Sequence, residues 1–390
     1  MRKRESQASK ATATNLLGMT TEAVNKHCQD EAEASELGFG IMWPNKRAEE
    51  LTQKTKYIFS KPRVRYTFIP SDETSSINYF STRVIHELGT NSLEQLEYIP
   101  YTNGLNGVDI IITSCHGSDL SENLWTLKLI QGTETIVASW LWDNHLAMVN
   151  NLKTAAASDF VFPSHQYASS YLSGPCSCLF EHIPSCTAQW TRTEAIDLFE
   201  KSSIDSRSGR LLANYVNYSW AWRSGILKDL QSLAPEVEVR LLPADDRRQY
   251  FDKSSSHRFA TWLRNKATLI LPIDRDLSTR VFDALLAGQV LVVPKIIEDF
   301  DDVIDRKTQE GLGIIRINDL EIDTIRKAAV LAEAVFDQQG EDGAFRRHSY
   351  ALDNHMLENR IELILESLKK AARPDSEIVF NGILCAHLGR

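Results

Sequence analysis

Long apolar runs and cysteines are both scarce in this chain. The first shortage argues against a membrane-spanning or secreted protein, and the second against a disulfide-linked one. No stretch approaches the roughly 20 consecutive apolar residues that a membrane-spanning helix needs. The basic start MRKRESQASK is not followed by the apolar segment of a secretory signal. The 390 residues include only 6 cysteines, too few and too scattered for a disulfide framework. These absences predict a cytoplasmic protein.

Acidic residues outnumber basic ones by 52 to 43, and glycine motifs that bind phosphate are missing. The formal net charge of -9 argues against nucleic acid as the main partner. Neither the dinucleotide fingerprint G-x-G-x-x-G nor a Walker A sequence occurs, which disfavours NAD and ATP enzymes. The cluster Cys176, Cys178 and Cys186 has a spacing that fits no common zinc pattern. We therefore expect neither a metal nor a cofactor, and the basic N-terminus is either a solvated tail or a peripheral contact with an anionic membrane.

Short apolar runs alternate with helical patterns from residue 63 onward. Strands separated by helices imply parallel pairing with right-handed crossovers, so the predicted fold class is α/β. It comprises two tandem Rossmann-like doubly wound domains with extra N-terminal and C-terminal helices. The predicted parts are a polar helical segment (1–62), a first Rossmann-like domain (63–190), a linker (191–209), a second Rossmann-like domain (210–350) and C-terminal helices long enough to cross back (351–390).

The segment 267–297, ATLILPIDRDLSTRVFDALLAGQVLVVPKII, is the most informative part of the sequence. An apolar strand over 267–273 leads into a polar loop, then a helix, then a second apolar strand. Ser278 and Thr279 stand at the helix start, where hydroxyls cap the backbone. The loop after such a strand is where open α/β sheets bind ligands, and a helix N-terminus favours phosphate. The two hydroxyls are thus predicted to face phosphate, to cap the helix, or both.

Polar residues at two strand ends of the second domain are further candidates for ligand binding. Tyr218 and Ser219 follow its first strand, and Arg223 lies in the first turn of the next helix. A cation there opposes the helix dipole unless an anion lies between them. Arg223 is therefore a candidate for binding diphosphate, or else it pairs with a carboxylate such as Asp229. Asp274 follows the strand of the 267–297 segment and joins the candidate set.

The first domain offers candidates for acid–base chemistry. Its strand over 135–141 runs into Asp143 and His145, at the edge where ligands bind to parallel sheets. His145 could take a proton from an acceptor hydroxyl, with Asp143 orienting it or acting itself. The alternative is that Asp143 only caps the following helix. Asp72, in the loop after the first strand, is a third candidate.

The helix Arg280-Val281-Phe282-Asp283-Ala284, followed by an apolar strand, resembles a helix of the bacterial spore-maturation-protein-B-like glycosyltransferases. With two Rossmann-like domains in tandem, the chain resembles glycosyltransferases of the GT-B fold. The resemblance implies a nucleotide-sugar donor on the second domain and an acceptor on the first. It further implies that Asp283, where these relatives have Glu, binds the donor ribose. Arg280 and Asp283 also fit a surface ion pair at i, i+3.

The resemblance predicts a metal-independent glycosyltransferase. It would move a sugar from a nucleotide sugar to a glycan or lipid-linked glycan acceptor, in bacterial surface polysaccharide synthesis. Two alternatives remain open at this point. A sugar-nucleotide epimerase of the same fold would use the same donor pocket without an acceptor, and a non-catalytic glycosyltransferase-like binding subunit would fit the change from Glu to Asp at position 283.

Overall fold

Two parallel β-sheets organise the chain, which confirms the α/β class predicted from the alternation of strands and helices. A computed structural model provides the coordinates. It describes residues 42–70, 80–88, 95–114, 134–168, 178–179, 181–244 and 252–372. The predicted helix over 124–130 lies outside the described residues.

The first sheet has six strands in the order β2-β1-β3-β4-β5-β6, all paired in parallel. Its central strands are buried along their whole length, because helices and loops cover both faces of a parallel sheet. The short edge strand β2 has no counterpart among the predicted strands. The strand bounds are β1 Val64–Ile69, β2 Leu96–Tyr98, β3 Ile110–Thr113, β4 Ile136–Leu141, β5 Phe160–Pro163 and β6 Cys178–Leu179.

The second sheet has five parallel strands in the order β11-β10-β9-β7-β8. In each sheet the first strand lies between the second and the third, so the chain reverses its direction of winding there. Open α/β sheets bind ligands outside the carboxyl ends of the strands at such switch points. The strand bounds are β7 Ser208–Asn217, β8 Val237–Pro243, β9 Asn265–Leu269, β10 Val290–Pro294 and β11 Ile315–Ile317.

The helices fall largely where the sequence predicts them. The predicted helix over 302–310 is two short helices, and the helix predicted over 324–338 continues to residue 354 through an irregular Gly340. The bounds are α1 Met42–Phe59, α2 Thr82–Glu87, α3 Asn144–Ala156, α4 Arg192–Glu200, α5 Arg223–Leu233, α6 Ser255–Leu263, α7 Arg280–Leu286, α8 Phe300–Val303, α9 Arg306–Leu312, α10 Ile322–Asn354 and α11 Leu357–Ala371. Short 3₁₀ turns cover Tyr101–Asn103 and Gln166–Ala168. No helix within the described ranges is both long and apolar enough to cross a bilayer.

The extended segment 181–190 leads from the first sheet toward the second and is covered by α11. Nε of Arg360 in α11 donates to the backbone oxygens of Pro184 (3.0 Å) and Ser185 (3.3 Å). Two helical turns further on, Ser367 donates to Glu181 at 2.9 Å. Helix α4 follows within the predicted linker, and its buried apolar positions belong to the core of the second sheet. The C-terminal helix is thus anchored to the chain that leaves the first sheet.

Helix α7 is buried along most of its length, and basic side chains from outside the helix satisfy its last carbonyl groups. Arg207 donates to the oxygen of Ala287 (2.7 Å), and Nε of Arg347 donates to that of Gly288 (2.9 Å). Burial lowers the pKa of Arg207 to about 10 and that of Arg347 to about 9. Two cations thus face the negative end of the helix dipole. They fix the end of the helix that carries Arg280 at its start.

Substituting Gly288 with Ala should destabilise the protein. Gly288 has φ +72°, and an added Cβ would lie 2.8 Å from the backbone oxygen of Ala344 and 2.8 Å from the ring of Phe199. We expect a loss of roughly 2 kcal/mol or more in the free energy of unfolding, from strain and overpacking. The control is Gly311→Ala in α9, where a Cβ meets nothing within 4 Å and should stabilise by roughly 0.5–1 kcal/mol. Equal unfolding midpoints for the two variants in urea would contradict this account.

Stability should also fall as the pH drops, because His348 is buried as the neutral imidazole. Its Nδ1 donates to the oxygen of Leu286, and burial, helped by the charge of Arg207, lowers its pKa below 6.5. Below 6.5 the unfolded chain therefore binds a proton that the folded chain does not, and the free energy of unfolding falls. Urea unfolding at about pH 7.5 and 5.5 measures this loss. His348→Gln should show a smaller loss than the wild type; an unchanged pH dependence would exclude His348 as a source.

Candidate functional site

The loops after β7 and β9 are tied together at the switch point of the second sheet. The buried hydroxyl of Tyr215 in β7 donates to the backbone oxygen of Leu269 (2.7 Å) and accepts from the N–H of Leu271 (2.6 Å). The indole of Trp222, at the start of α5, donates to the backbone oxygen of Ile273 at 2.6 Å. Tyr215 thus connects β7 to β9 where the two strands separate. Trp222 connects the two loops that follow these strands.

Two guanidinium groups flank the ring of Tyr215. The central carbons of Arg223 and Arg280 lie 4.8 Å and 4.7 Å from the ring centroid, within the range of cation–π attraction. Arg223 is only 2% exposed, and it donates to the backbone oxygens of Leu271 (3.3 Å) and Val216 (3.4 Å). Its Nε is buried without a hydrogen-bond partner among the described atoms. Arg223 therefore retains a donor that no described protein group uses.

Arg280 is held beside the same ring from the other loop. Its Nε donates to the backbone oxygen of Asn214 (3.0 Å), and its Nη1 donates to the hydroxyl of Ser278 (3.2 Å). The same hydroxyl accepts from the backbone N–H of Arg280 at 3.4 Å. Thr279 occupies the cap position of α7 without a side-chain capping bond. The Ser278 hydroxyl thus orients the Arg280 guanidinium. It accepts only the first backbone N–H of α7 and none further along the first turn.

The two cations are not compensated by an ion pair within the described part of the chain. Burial, followed by the charge of Arg280, lowers the pKa of Arg223 to about 10. Asp276 is near enough to oppose that shift, but its carboxylate accepts the backbone N–H groups of Ile273 and Asp274 in its own turn. Two neighbouring guanidinium groups of this kind make the pair a candidate anion site, since planar N–H donors match phosphate oxygens.

Other predicted residues of the second domain lie around this arginine pair. Tyr218 is partly buried, with its ring 5.7 Å from the Arg223 guanidinium. Ser219 and Asp274 are exposed on the same two loops. The structure therefore brings the predicted residues after β7 and before α7 to one edge of the sheet. The alternative pairing of Arg223 with Asp229 is not formed, because Arg223 is buried and Asp229 is exposed.

Asp283 lies in the middle of α7 and is only 2% exposed. Its Oδ2 accepts a hydrogen bond from the side chain of Gln189 at 3.0 Å. Gln189 belongs to the segment that leads out of the first sheet, so the bond joins the two halves of the fold. Ribose binding by Asp283 remains a prediction. In this structure one carboxylate oxygen of Asp283 already accepts a hydrogen bond from Gln189.

Two of the three first-domain candidates, Asp143 and His145, lie at the carboxyl end of β4. Asp143 follows that strand with φ 46° and ψ 39°, a left-handed conformation that costs a non-glycine residue about 1–2 kcal/mol. It occupies the cap position of α3 without making a side-chain capping bond, so capping alone does not explain its place. His145 lies in the first turn of α3, but its side chain is outside the described residues, as is the whole of Asp72. Their catalytic roles remain predictions.

Three residues of this region escape prediction from the sequence. Tyr215 lies in an apolar strand and looks like a core residue. Asp276 is one of two acids in the sequence IDRD, and no local signal distinguishes them. Gln189 lies 94 positions from its partner Asp283. Among the described residues, no cluster of His, Cys, Asp and Glu is arranged to hold a metal ion.

Comparison with known proteins gives remote structural likeness only. No family model and no curated protein matches the sequence. HepE from Anabaena, solved with UDP and glucose, is 9% identical, covers 78% of this chain and 99% of its own, and superposes with a TM-score of 0.43. A UDP-forming trehalose-phosphate synthase from Burkholderia vietnamiensis is 10% identical, covers 80% of this chain and 99% of its own, and has a TM-score of 0.46. The pneumococcal O-GlcNAc transferase GtfA, solved with UDP and GlcNAc, is 12% identical, covers 67% of this chain and 56% of its own, and has a TM-score of 0.40. Likeness at this level transfers no functional residue.

Removing the hydroxyl of Tyr215 should weaken the fold at this edge. Tyr215→Phe keeps the ring between the two cations but leaves a buried N–H of Leu271 and a buried oxygen of Leu269 without this partner. We expect a loss of about 1–3 kcal/mol in the free energy of unfolding. Tyr57→Phe, at a 49% exposed ring, is the matched control and should change stability little. A Tyr215→Phe protein as stable as this control would show that the tie is not needed.

Proposed function

We propose that this protein is a nucleotide-sugar-dependent glycosyltransferase whose donor binds at the carboxyl edge of the second sheet. The observation that carries the proposal is the pair of guanidinium groups of Arg223 and Arg280 around Tyr215. They lie at a switch point, where doubly wound sheets bind ligands. Within the described chain they have backbone and hydroxyl partners but no carboxylate.

A diphosphate is the anion that best suits this arrangement. Arg223 lies in the first turn of α5, at the positive end of the helix dipole, so repulsion there is relieved when a dianion binds between the charges. Burial strengthens each charge–charge contact, because little water screens it. Two guanidinium groups on one ring together offer donors for more than one phosphoryl group. A nucleoside diphosphate therefore fits better than a lone carboxylate.

Glycosyl transfer is the reaction that needs an anion site of this kind. As the bond between the anomeric carbon and the diphosphate oxygen breaks, negative charge develops on the leaving nucleoside diphosphate. Preorganised cations lower the barrier by meeting that charge. In this proposal Arg223 and Arg280 supply the neutralisation that other enzymes obtain from a metal ion, so transfer is metal-independent.

The acceptor side is assigned to the first domain. A hydroxyl of the acceptor loses its proton to a base as its oxygen forms the new bond to the anomeric carbon. Asp143, held in a strained conformation directly after β4, is the proposed base or its orienting group. His145 and Asp72 remain the other candidates. A glycan or lipid-linked glycan, in synthesis of a bacterial surface polysaccharide, is the proposed acceptor.

The arginine pair can be tested by ligand-dependent thermal stability with UDP-, GDP-, TDP- and CMP-sugars. Arg280→Ala should weaken the binding of the effective donor by roughly 10–100-fold, the usual value of one or two charged hydrogen bonds. Arg223→Lys keeps a positive charge but loses the planar fork, so it should also weaken binding while limiting the damage to folding. Arg326→Ala removes an exposed arginine paired with Glu236 and serves as the control.

Two results would contradict the proposal. One is a wild-type protein that none of these nucleotide sugars stabilises. The other is an Arg280→Ala variant that binds the donor as tightly as Arg326→Ala does. Product analysis with the donor alone separates the reaction classes, because an epimer formed without an acceptor would indicate an epimerase. Tight donor binding with neither transfer nor hydrolysis would indicate a non-catalytic subunit.

A further inference from the structure

The loop between β7 and α5 presents an exposed aromatic surface beside the arginine pair. Trp220 is 62% exposed and Trp222 is 44% exposed. The ring of Tyr218 lies 5.5 Å from that of Trp220, with 32° between the ring planes. Large aromatic side chains in water are unfavourable, and when they cluster they commonly mark a binding surface.

Hydrogen bonds hold the backbone of this loop in place. The carbonyl oxygen of Tyr218 accepts from the N–H of Ala221 (2.9 Å) and from the hydroxyl of Ser224 (2.6 Å). On the far side of Trp220, the indole of Trp222 is tied to the loop after β9. Trp220 is thus carried between two fixed points. A ligand that packs on its ring pays little entropy to order the loop.

The aromatic surface continues the arginine pair outward to solvent. A series of contacts joins guanidinium groups and aromatic rings in the order Arg280, Tyr215, Arg223, Tyr218 and Trp220. The distances to or between ring centroids lie between 4.7 and 5.7 Å. From the buried Tyr215 the series leads through Arg223 and Tyr218 to the exposed Trp220. A ligand that arrives after the nucleotide therefore meets the outer end, next to the bound diphosphate.

Hydrogen-bond acceptors at the same edge of the sheet favour a ligand that is rich in hydroxyl groups. Oδ1 of Asn217, the last residue of β7, is buried without a partner among the described atoms. A buried acceptor without a hydrogen bond destabilises the folded protein, and a hydroxyl group of a ligand can donate the missing bond. Ser219 on the same loop and Asp274 on the loop after β9 are exposed and carry oxygen atoms suited to accepting further hydroxyl groups. A sugar ring offers both an apolar C–H face for the indole and hydroxyl donors at its rim, whereas a lipid tail offers no donors.

We infer that Trp220 forms an open subsite for a saccharide ring of the acceptor, with Asn217 taking one of its hydroxyl groups. The inference rests on the proposed glycosyltransferase function and assigns residues of the second domain to the saccharide acceptor. The acceptor is thereby bound on the nucleotide-binding domain as well as on the first domain.

The experiment measures release of the nucleoside diphosphate from the donor found by the thermal screen. Maltose, cellobiose, lactose and chitobiose are the acceptor probes, and water is the reference acceptor. At least one disaccharide should accelerate release by the wild type. Trp220→Ala should raise the KM for that disaccharide roughly tenfold, with little change in the affinity for the nucleoside diphosphate itself. Trp220→Phe should recover most of the loss, and Phe345→Ala, at a 56% exposed ring on α10, is the matched control.

The possible outcomes separate this inference from the proposed function. Donor binding and hydrolysis without stimulation by any of the four disaccharides would overturn the saccharide subsite and leave the transferase intact. Equal KM values for Trp220→Ala and Phe345→Ala would overturn the role of Trp220. Weaker binding of the nucleoside diphosphate by Trp220→Ala would place the nucleotide, not the acceptor, on this ring and so would also reject the inference. Failure of the wild type to bind any donor contradicts the proposed function instead.

Discussion

The tie between Tyr215 and the end of β9 is the constraint on which the candidate site depends. Parallel strands separate beyond their last ladder bond, so the loops that follow them drift apart unless a side chain connects them. The Tyr215 hydroxyl makes that connection with two backbone groups of the neighbouring chain. Because the ring is thereby fixed, it gives both guanidinium groups a common surface against which to pack. Two like charges can then lie close together before any ligand arrives.

Helix α7 shows a second way in which this structure manages buried charge. Its start carries Arg280 toward the site, and its end is closed by arginines contributed from elsewhere in the chain. These arginines act on carbonyl oxygens rather than carboxylates, so the protein uses the helix dipole as their counter-charge. A short helix is anchored at both ends in this way. The position of Arg280 therefore depends on residues far from the site as well as on its own loop.

Much of the fold follows from the sequence, because apolar runs with turn residues between them leave little choice but parallel strands and crossover helices. The exceptions have physical causes. The edge strand β2 is three residues long and only half-buried, so it carries no apolar signature. Helix α10 continues through Gly340 into a second half, and a glycine with polar neighbours normally predicts an end.

The grouping of candidate residues was predictable where polar side chains stand in the loop between an apolar strand and a helix, as at Arg223 and Ser278. It was not predictable where a polar atom is hidden inside an apolar pattern, as at Tyr215. Nor could the sequence pair Gln189 with Asp283, because no local pattern reports a contact between segments so distant along the chain. These two residues meet only through the tertiary fold.

That pairing has a consequence for how the chain can vary. Glutamine at 189 and aspartate at 283 together supply the reach that closes the 3.0 Å hydrogen bond between the two halves of the fold. A glutamate at position 283 would be one methylene longer. A lengthened acid needs a shortened donor, so Asn with Glu is the natural counterpart of Gln with Asp. Positions 189 and 283 should therefore covary in length among homologues, with the sum of their methylene groups conserved rather than either residue.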